Sequence, residues 1–345
     1  VFPADTRWLR PCGGAGMTTK VDRATGVLLG LACGDALGRP VEFNPPHRIQ
    51  DEHGRVTEML GHGTHRKPAG TITDDTELAL CIARSLSQEK AFDPPAIVAN
   101  FVEWYESDPF DIGGLTAATL RRLAAGGEWS QIGIEEWKHL PEGRNAGNGS
   151  LMRCAPYGIA FHSRPDDLIT SSRVSSAITH ADPRCQWSCV VLNATIAGLL
   201  EGQDQPLKHA LNVVNDAPNE VQDAVIAVEE VLNGDGDPKS IDLKNSGYVV
   251  TTLQAGLYHG LTAETAEKAI VDAVMMGGDT DTIAAVTGAV AGARFGRKDL
   301  PSRWLEEITE TDELEKLARS LGSEQYGISQ DAEDLIDDGD LNLET

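Results

Sequence analysis

Basic residues are scarce in this chain: 29 lysines and arginines face 53 aspartates and glutamates across 345 residues, a formal net charge of −24. Such a surface repels phosphate backbones and anionic headgroups, which removes general nucleic-acid binding and membrane-surface binding from the candidate functions. The same excess of acid also fits a high-salt interior, where it acts on solubility. Paired cysteines are missing as well. The six stand at 12, 33, 81, 154, 185 and 189, none forms C-x-x-C, and C-Q-W-S-C at 185–189 has no second pair with which to hold zinc. They read as reduced, mostly buried thiols of a cytoplasmic protein. No stretch approaches the ~18 consecutive apolar residues of a membrane helix, no basic-then-apolar leader is seen, and the nine histidines show no H-E-x-x-H spacing. Period-two alternation is nearly absent too, and GYVVTTL (247–253) is the one passable strand.

What is present is helical. LALCIARSL (78–86), AIVANFVEWY (96–105), VVLNATIAGLL (190–200), VQDAVIAVEEVL (221–232) and TAEKAIVDAVMM (265–276) carry apolar residues at helical spacing, with Gly, Pro, Asn and Asp clusters between them. With 41% hydrophobic residues the chain can fill a sizeable core. The expectation is a single all-α domain over residues 20–325. Residues 1–16, ending PCGGAG, read as a tag, scar or unstructured leader, and the acidic stretch 330–345 as a loose tail.

Two helical segments repeat glycine every fourth residue: Gly26, Gly30, Gly34 and Gly38 in one, Gly288, Gly292 and Gly296 in the other. Glycine inside a helix costs about 1 kcal/mol relative to alanine. Stacking several on one face makes sense where two helices approach backbone to backbone. The charged neighbours Asp35 and Arg294 rule out a membrane setting, so the expectation is a tight central helix pair.

Two further segments crowd carboxylates. In GTITDDTELAL (70–80), Asp74 and Asp75 sit between two threonines ahead of an apolar run. Thr73 or Asp74 as N-cap, with Glu77 completing a capping box, would account for them, since a helix N-terminus favours negative charge. GGDTDTIAAVTGAVAG (277–292) then repeats the pattern with Asp279, Asp281 and Thr282 after a flexible hinge. Two helix starts furnished only with hard oxygen donors suit Mg²⁺ or Mn²⁺. Four facing carboxylates suggest two ions with a bridging water.

These blocks resemble the ADP-ribosylglycohydrolase family, the relatives of dinitrogenase reductase-activating glycohydrolase. The resemblance runs in order through GLACGDALGRPVEF (30–43), PAGTITDDTELAL (68–80), NAGNGSLMRCAPYGIA (145–160) and GGDTDTIAAVTGAVAGARFG (277–296), with PFDIGGLT (109–116) and SGYVVTTLQAGL (246–257) as weaker matches. It implies an orthogonal all-α fold around a binuclear Mg²⁺ or Mn²⁺ centre, with Thr73, Asp74, Asp75, Asp279, Asp281 and Thr282 as ligands. It also implies cleavage of the glycosidic bond between ADP-ribose and an acceptor side chain, with an ADP-ribosylated protein as partner. A monomer is expected.

Other residues carry two readings each. Glu42, in the proline-bearing loop RPVEFNPPH, is a solvated carboxylate or the loop glutamate that the family places near the metals. Asp111 is an Asx-turn residue, or the acid that in arginine-directed members lies near the guanidinium and assists the leaving group. GNGS is a turn capped by Ser150, or a cradle in which Asn148, Gly149 and Ser150 contact phosphate and ribose. Arg153 beside it reads more readily as half of a structural ion pair. His180 is a cap or core residue or a contact to ADP-ribose, and Tyr248 a core tyrosine or a platform for adenine. The catalytic candidates are Glu42, Asp111, Asp75 and Asp279. A hydrolase of small ADP-ribose conjugates, and a non-catalytic relative of the lens-crystallin kind, stand as alternatives. The second expects lost metal aspartates, and all four are present.

Overall fold

Two helices, Lys20–Gly38 and Thr280–Phe295, run antiparallel through the centre of the computed structural model, which describes residues 18–214, 216–238 and 241–337. Their glycines face one another. A Cβ placed on Gly26 would lie 2.3 Å from the carbonyl oxygen of Gly292, on Gly30 2.1 Å from that of Gly288, and on Gly34 1.9 Å from that of Ala284. At Gly38 the neighbours are the Thr280 carbonyl oxygen, 2.4 Å away, and the Asp281 backbone nitrogen, 2.6 Å away. The Thr280 hydroxyl closes this end by donating to the Gly38 carbonyl at 2.8 Å. The tight central pair expected from the glycine spacing is therefore present. Gly296 departs from the pattern: at φ +83° it ends the second helix.

From Ala24 to Gly38 and from Thr280 to Ala293 every residue is buried, so other elements cover the pair on all sides. Val249–Thr262 lies against the Thr280 helix, where Gly256 and Gly260 leave room for Val286 and Val290. Pro183–Leu200, itself almost wholly buried, Ala266–Val274 and Thr311–Ser323 complete the shell. The one sheet among the described residues is a two-residue parallel pair, Ala91–Phe92 with Gly327–Ile328.

Two expectations are corrected. GYVVTTL is not a strand: Val249 opens a helix that buries Val249, Val250, Thr252 and Leu253, and this packing overrides their β-propensity. The stretch from 330 is not loose throughout, because Gln330–Asp337 is a helix with Ala332 and Leu335 buried under an acidic outer face. Residues 1–16 and 338–345 lie outside the described residues.

The glycine contacts reverse the usual sign of a glycine-to-alanine change. In an open helix it stabilises by about 1 kcal/mol. At Gly288 the new methyl would meet the Gly30 carbonyl oxygen at 1.9 Å. Gly288→Ala is expected to destabilise by on the order of 3 kcal/mol, read as a lower midpoint in chemical denaturation.

Candidate metal and substrate site

The glycine contact fixes where the Thr280 helix begins, and that start meets the start of the Asp74–Glu89 helix. Thr73, as N-cap, offers its hydroxyl to the Asp75 N–H at 3.4 Å. A second carboxylate, Asp35 of the Lys20 helix, holds the same turn. It accepts the backbone N–H groups of Thr73 at 3.0 Å and Thr76 at 3.2 Å, and the two hydroxyls at 2.9 and 2.5 Å. Burial lifts Asp35 to about 6 despite those four donors.

With these groups capping the helix, the expected capping box does not form. Glu77 accepts instead from the Trp104 indole at 2.6 Å, and Asp74 accepts from the Gly113 N–H at 3.2 Å. Asp279 occupies the N-cap position of its helix without making a side-chain capping bond. Asp75 Oδ2 lies 3.3 Å from the Thr73 hydroxyl and 3.4 Å from that of Thr282, which joins the two helix starts. Its other oxygen, Oδ1, is buried with no hydrogen-bond partner.

Around this point Glu42, Asp279 and Asp281 bring one oxygen each to within 4.8 Å of one another. Burial, reinforced by the neighbouring negative charges, pushes Glu42 up to about 9 and Asp74 to about 8, and holds Asp75 and Asp281 well above the carboxylate range. Asp279 is raised by burial too, against the pull of its hydrogen bonds. The nearby guanidinium of Arg39 is fully buried but is spent on the carbonyls of Thr71, Pro68 and His62, shaping the loop that leads into the Asp74 helix. Carboxylates buried together with no lysine or arginine ion pair among the described residues, one with an orphaned oxygen, fit a hard divalent cation. Of the six expected ligand residues, Asp74, Asp75, Asp279, Asp281 and Thr282 line the cleft, and Thr73 lies behind them against Asp75 and Asp35.

The cluster forms one wall of a cleft of ≈ 540 Å³. Glu42, Asp111, Asn148, Gly149 and His180 line it, as expected of site residues. Asn148 donates to Asp279 at 2.7 Å and to the Thr252 hydroxyl at 3.0 Å, which couples the GNGS loop to the carboxylates. Gly149 leaves room for His180, whose ring carbon would sit 2.8 Å from an added Cβ. Burial takes His180 down to about 3, so it is a neutral imidazole. Its Nδ1 lies 2.8 Å from the Thr179 hydroxyl, which accepts from Arg153 at 2.7 Å. Arg153 is fully buried and, among the described residues, makes no ion pair; its guanidinium rests over Phe101 instead.

Two expected contacts are not brought to the cleft wall. The Ser150 hydroxyl is turned into the core, 2.8 Å from that of Ser176. Tyr248 lies beside the cleft, where it donates to Glu220 and packs near the Arg184 guanidinium. Sequence reasoning missed Asp35 as a holder of the Asp74 helix, although a lone aspartate in a glycine-spaced apolar helix was the signal. It also missed His65, which lies 2.5 Å from Glu42 and 3.6 Å from Asp111 and for which no spacing signal exists. Phe43 and Arg144 are also in the wall without having been singled out; among the described residues Arg144 is its only lysine or arginine, at the exposed rim.

A profile of the ADP-ribosylglycohydrolase family matches residues 17–330, nearly the whole described chain. The chain belongs to the ADP-ribosylglycohydrolase family. Among its relatives, the ADP-ribosyl-[dinitrogen reductase] glycohydrolase of Rhodospirillum rubrum is 33% identical over 83% of this chain and 90% of its own length. The ADP-ribosylarginine hydrolase Tri1 of Pseudomonas putida (strain GB-1) is 34% identical over 87% of this chain and 78% of its own. A solved structure described as an ADP-ribosylglycohydrolase-related protein complex superimposes with a TM-score of 0.72 at 33% identity, covering 89% of this chain and 99% of that one. The family is one of hydrolytic enzymes, and its all-α fold is the fold found here.

The raised carboxyls set a pH dependence. Unfolded, Glu42 and Asp74 ionise near 4 (about 4 for model carboxylates); folded, they keep their protons to about 9 and about 8. The folded state binds more protons in between, so their contribution to stability is full below the lower limit and is lost as pH rises through the upper one. In EDTA the melting temperature is expected to fall between about pH 5 and about pH 9. Saturating Mg²⁺ or Mn²⁺ is expected to remove most of that fall, as read by calorimetric scans.

Proposed function

We propose that this chain is a divalent-cation-dependent hydrolase that releases ADP-ribose from a modified protein side chain, with arginine the favoured acceptor. One observation carries the reading: the buried, unpartnered oxygen of Asp75 at the meeting point of two carboxylate-bearing helix starts. The relatives named above, one acting on ADP-ribosyl-[dinitrogen reductase] and one on ADP-ribosylarginine, support the substrate class.

Thr73, Asp74, Asp75, Asp279, Asp281 and Thr282 would hold two Mg²⁺ or Mn²⁺ ions. When bound, such ions supply Lewis-acid polarisation and neutralise crowded negative charge. Glu42, ionised when bound cations offset the neighbouring negative charge, would accept the proton of the attacking water, with Asp75 and Asp279 as alternates. The N–H group of Gly149, which lines the cleft and has no hydrogen-bond partner among the described residues, would face a diphosphate as a donor. His180 stays neutral and contacts the ribose side of the cleft. Asp111, half-buried on the same wall, pairs with the acceptor guanidinium and assists its departure. No helix among the described residues is long and apolar enough to cross a membrane. The five buried free thiols of the described residues favour a reducing compartment, and we place the protein in the cytoplasm.

Chelation tests the reading directly. EDTA is expected to abolish release of ADP-ribose from modified protein, and full activity in EDTA would overturn it. Asp75→Ala and Asp279→Ala relieve repulsion in the metal-free protein, so both are expected to keep or raise its melting temperature. Both are expected to lose most of the stabilisation that added Mg²⁺ or Mn²⁺ confers by mass action. A pair of mutants that melt lower in EDTA yet respond to metal as the parent does would make these residues caps.

The acceptor is tested separately. Asp111→Asn is expected to slow turnover of ADP-ribosylarginine on the order of 10²-fold while changing the affinity for free ADP-ribose little. Equal losses in both measurements would make Asp111 a structural residue.

A further inference from the structure

Val41 to Asn44 form a tight turn, closed by the Asn44 N–H donating to the Val41 carbonyl at 3.1 Å. Glu42 takes φ −52° and ψ 142°, and Phe43 takes φ 63°. These angles belong to a type II turn, whose third residue needs positive φ and is ordinarily glycine or asparagine. A bulky aromatic there is a backbone outlier.

Phe43 is also 71% exposed; Ile226, at 40%, is the only other exposed large hydrophobic residue among those described. The turn is not loose. Phe43 N–H donates to the Gly278 carbonyl at 2.7 Å, and the Glu42 carbonyl accepts from the Thr64 hydroxyl at 2.8 Å. A single exposed phenylalanine is unremarkable, but one held in strained backbone beside a site points to use.

The ring belongs to the cleft wall. Among the described residues it is the only phenylalanine, tyrosine or tryptophan there, in company with Glu42, Asp74 and Asp111. Its chain neighbour Glu42 shares His65 with Asp111, the three bringing ligand atoms within 4.8 Å of one another. An aromatic face beside carboxylates matches one kind of group, a planar and weakly hydrated cation on an aliphatic stem.

Resting on the arginine reading above, we propose that Phe43 is a specificity-determining residue whose ring packs on the guanidinium and stem of the ADP-ribosylated arginine. Asp111 pairs with the charge of the same group. A hydroxyl-linked acceptor such as serine presents no cation to the ring and gains nothing from it.

The experiment compares Phe43→Ala, Phe43→Gly and Phe43→Trp with the parent on ADP-ribosylarginine and on an ADP-ribosylserine peptide, with ADP-ribose as competitive inhibitor. Phe43→Ala and Phe43→Gly are expected to raise KM for ADP-ribosylarginine on the order of tenfold with kcat within about twofold. Inhibition by ADP-ribose and KM for any serine-linked turnover stay unchanged, and Phe43→Trp keeps the parental KM. Phe43→Gly, which suits the turn, is expected to melt at the parental temperature or above, so its kinetic loss cannot be one of folding. An unchanged KM in both truncations overturns the proposal alone, as does a parallel loss of ADP-ribose inhibition. A parent that leaves ADP-ribosylarginine uncleaved while releasing ADP-ribose from another linkage overturns the arginine reading, and this proposal with it.

Discussion

Contact between two bare backbones sets the geometry of this protein. Where Gly26, Gly30, Gly34 and Gly38 face Gly292, Gly288, Ala284 and Thr280, no side chain separates the helices, and none fits. A helix pair held by side chains can slide or tilt by repacking. One held by backbone carbonyls against α-carbons has a single register. The consequence reaches the cleft, because the last contact of the pair, at Gly38, touches Asp281 itself. Asp35, next to Gly34, holds the start of the Asp74 helix through four hydrogen bonds. One helix therefore positions both carboxylate-bearing helix starts.

The site built on this frame is electrostatically unfavourable as it stands. Burying several carboxylates together opposes both hydration and Coulomb's law. The two buried arginines make their hydrogen bonds elsewhere: Arg39 to three carbonyls and Arg153 to a threonine, with its guanidinium over an aromatic ring. A frame rigid enough to hold such a cluster keeps its oxygens from swinging apart. The stability surrendered at the cluster and at the strained Phe43 turn is offset in the large apolar core around the central pair.

The parts legible in the sequence are those whose signal is local. Helical periodicity marks the long helices, fourfold glycine spacing marks the central pair, and TDDT and GGDTDT mark the carboxylates. What escaped depends on partners distant in the chain. Val249 to Thr252 look like a strand in isolation and become helix because Val286 and Val290 fill the space beside Gly256 and Gly260. The acidity of the stretch after residue 330 hid an amphipathic turn that buries Ala332 and Leu335. His65 acquires meaning only once a loop closes over Glu42 and Asp111, and no spacing encodes that closure. Ser150 and Tyr248 neighbour cleft residues in the chain, but side-chain direction is settled by packing, and packing turns both away from the wall.

The central pair joins segments roughly 250 residues apart in the chain, among the longest-range contacts such a fold can have. During synthesis, at about 5–20 residues per second, the first helix emerges long before its partner exists. For that interval its glycine face has nothing to pack against, and half the carboxylates of the cleft have no opposite number. The central pair can close only after the Thr280 helix has been made. Until the Thr280 helix exists, the carboxylates of the first half of the chain cannot be brought to face Asp279 and Asp281.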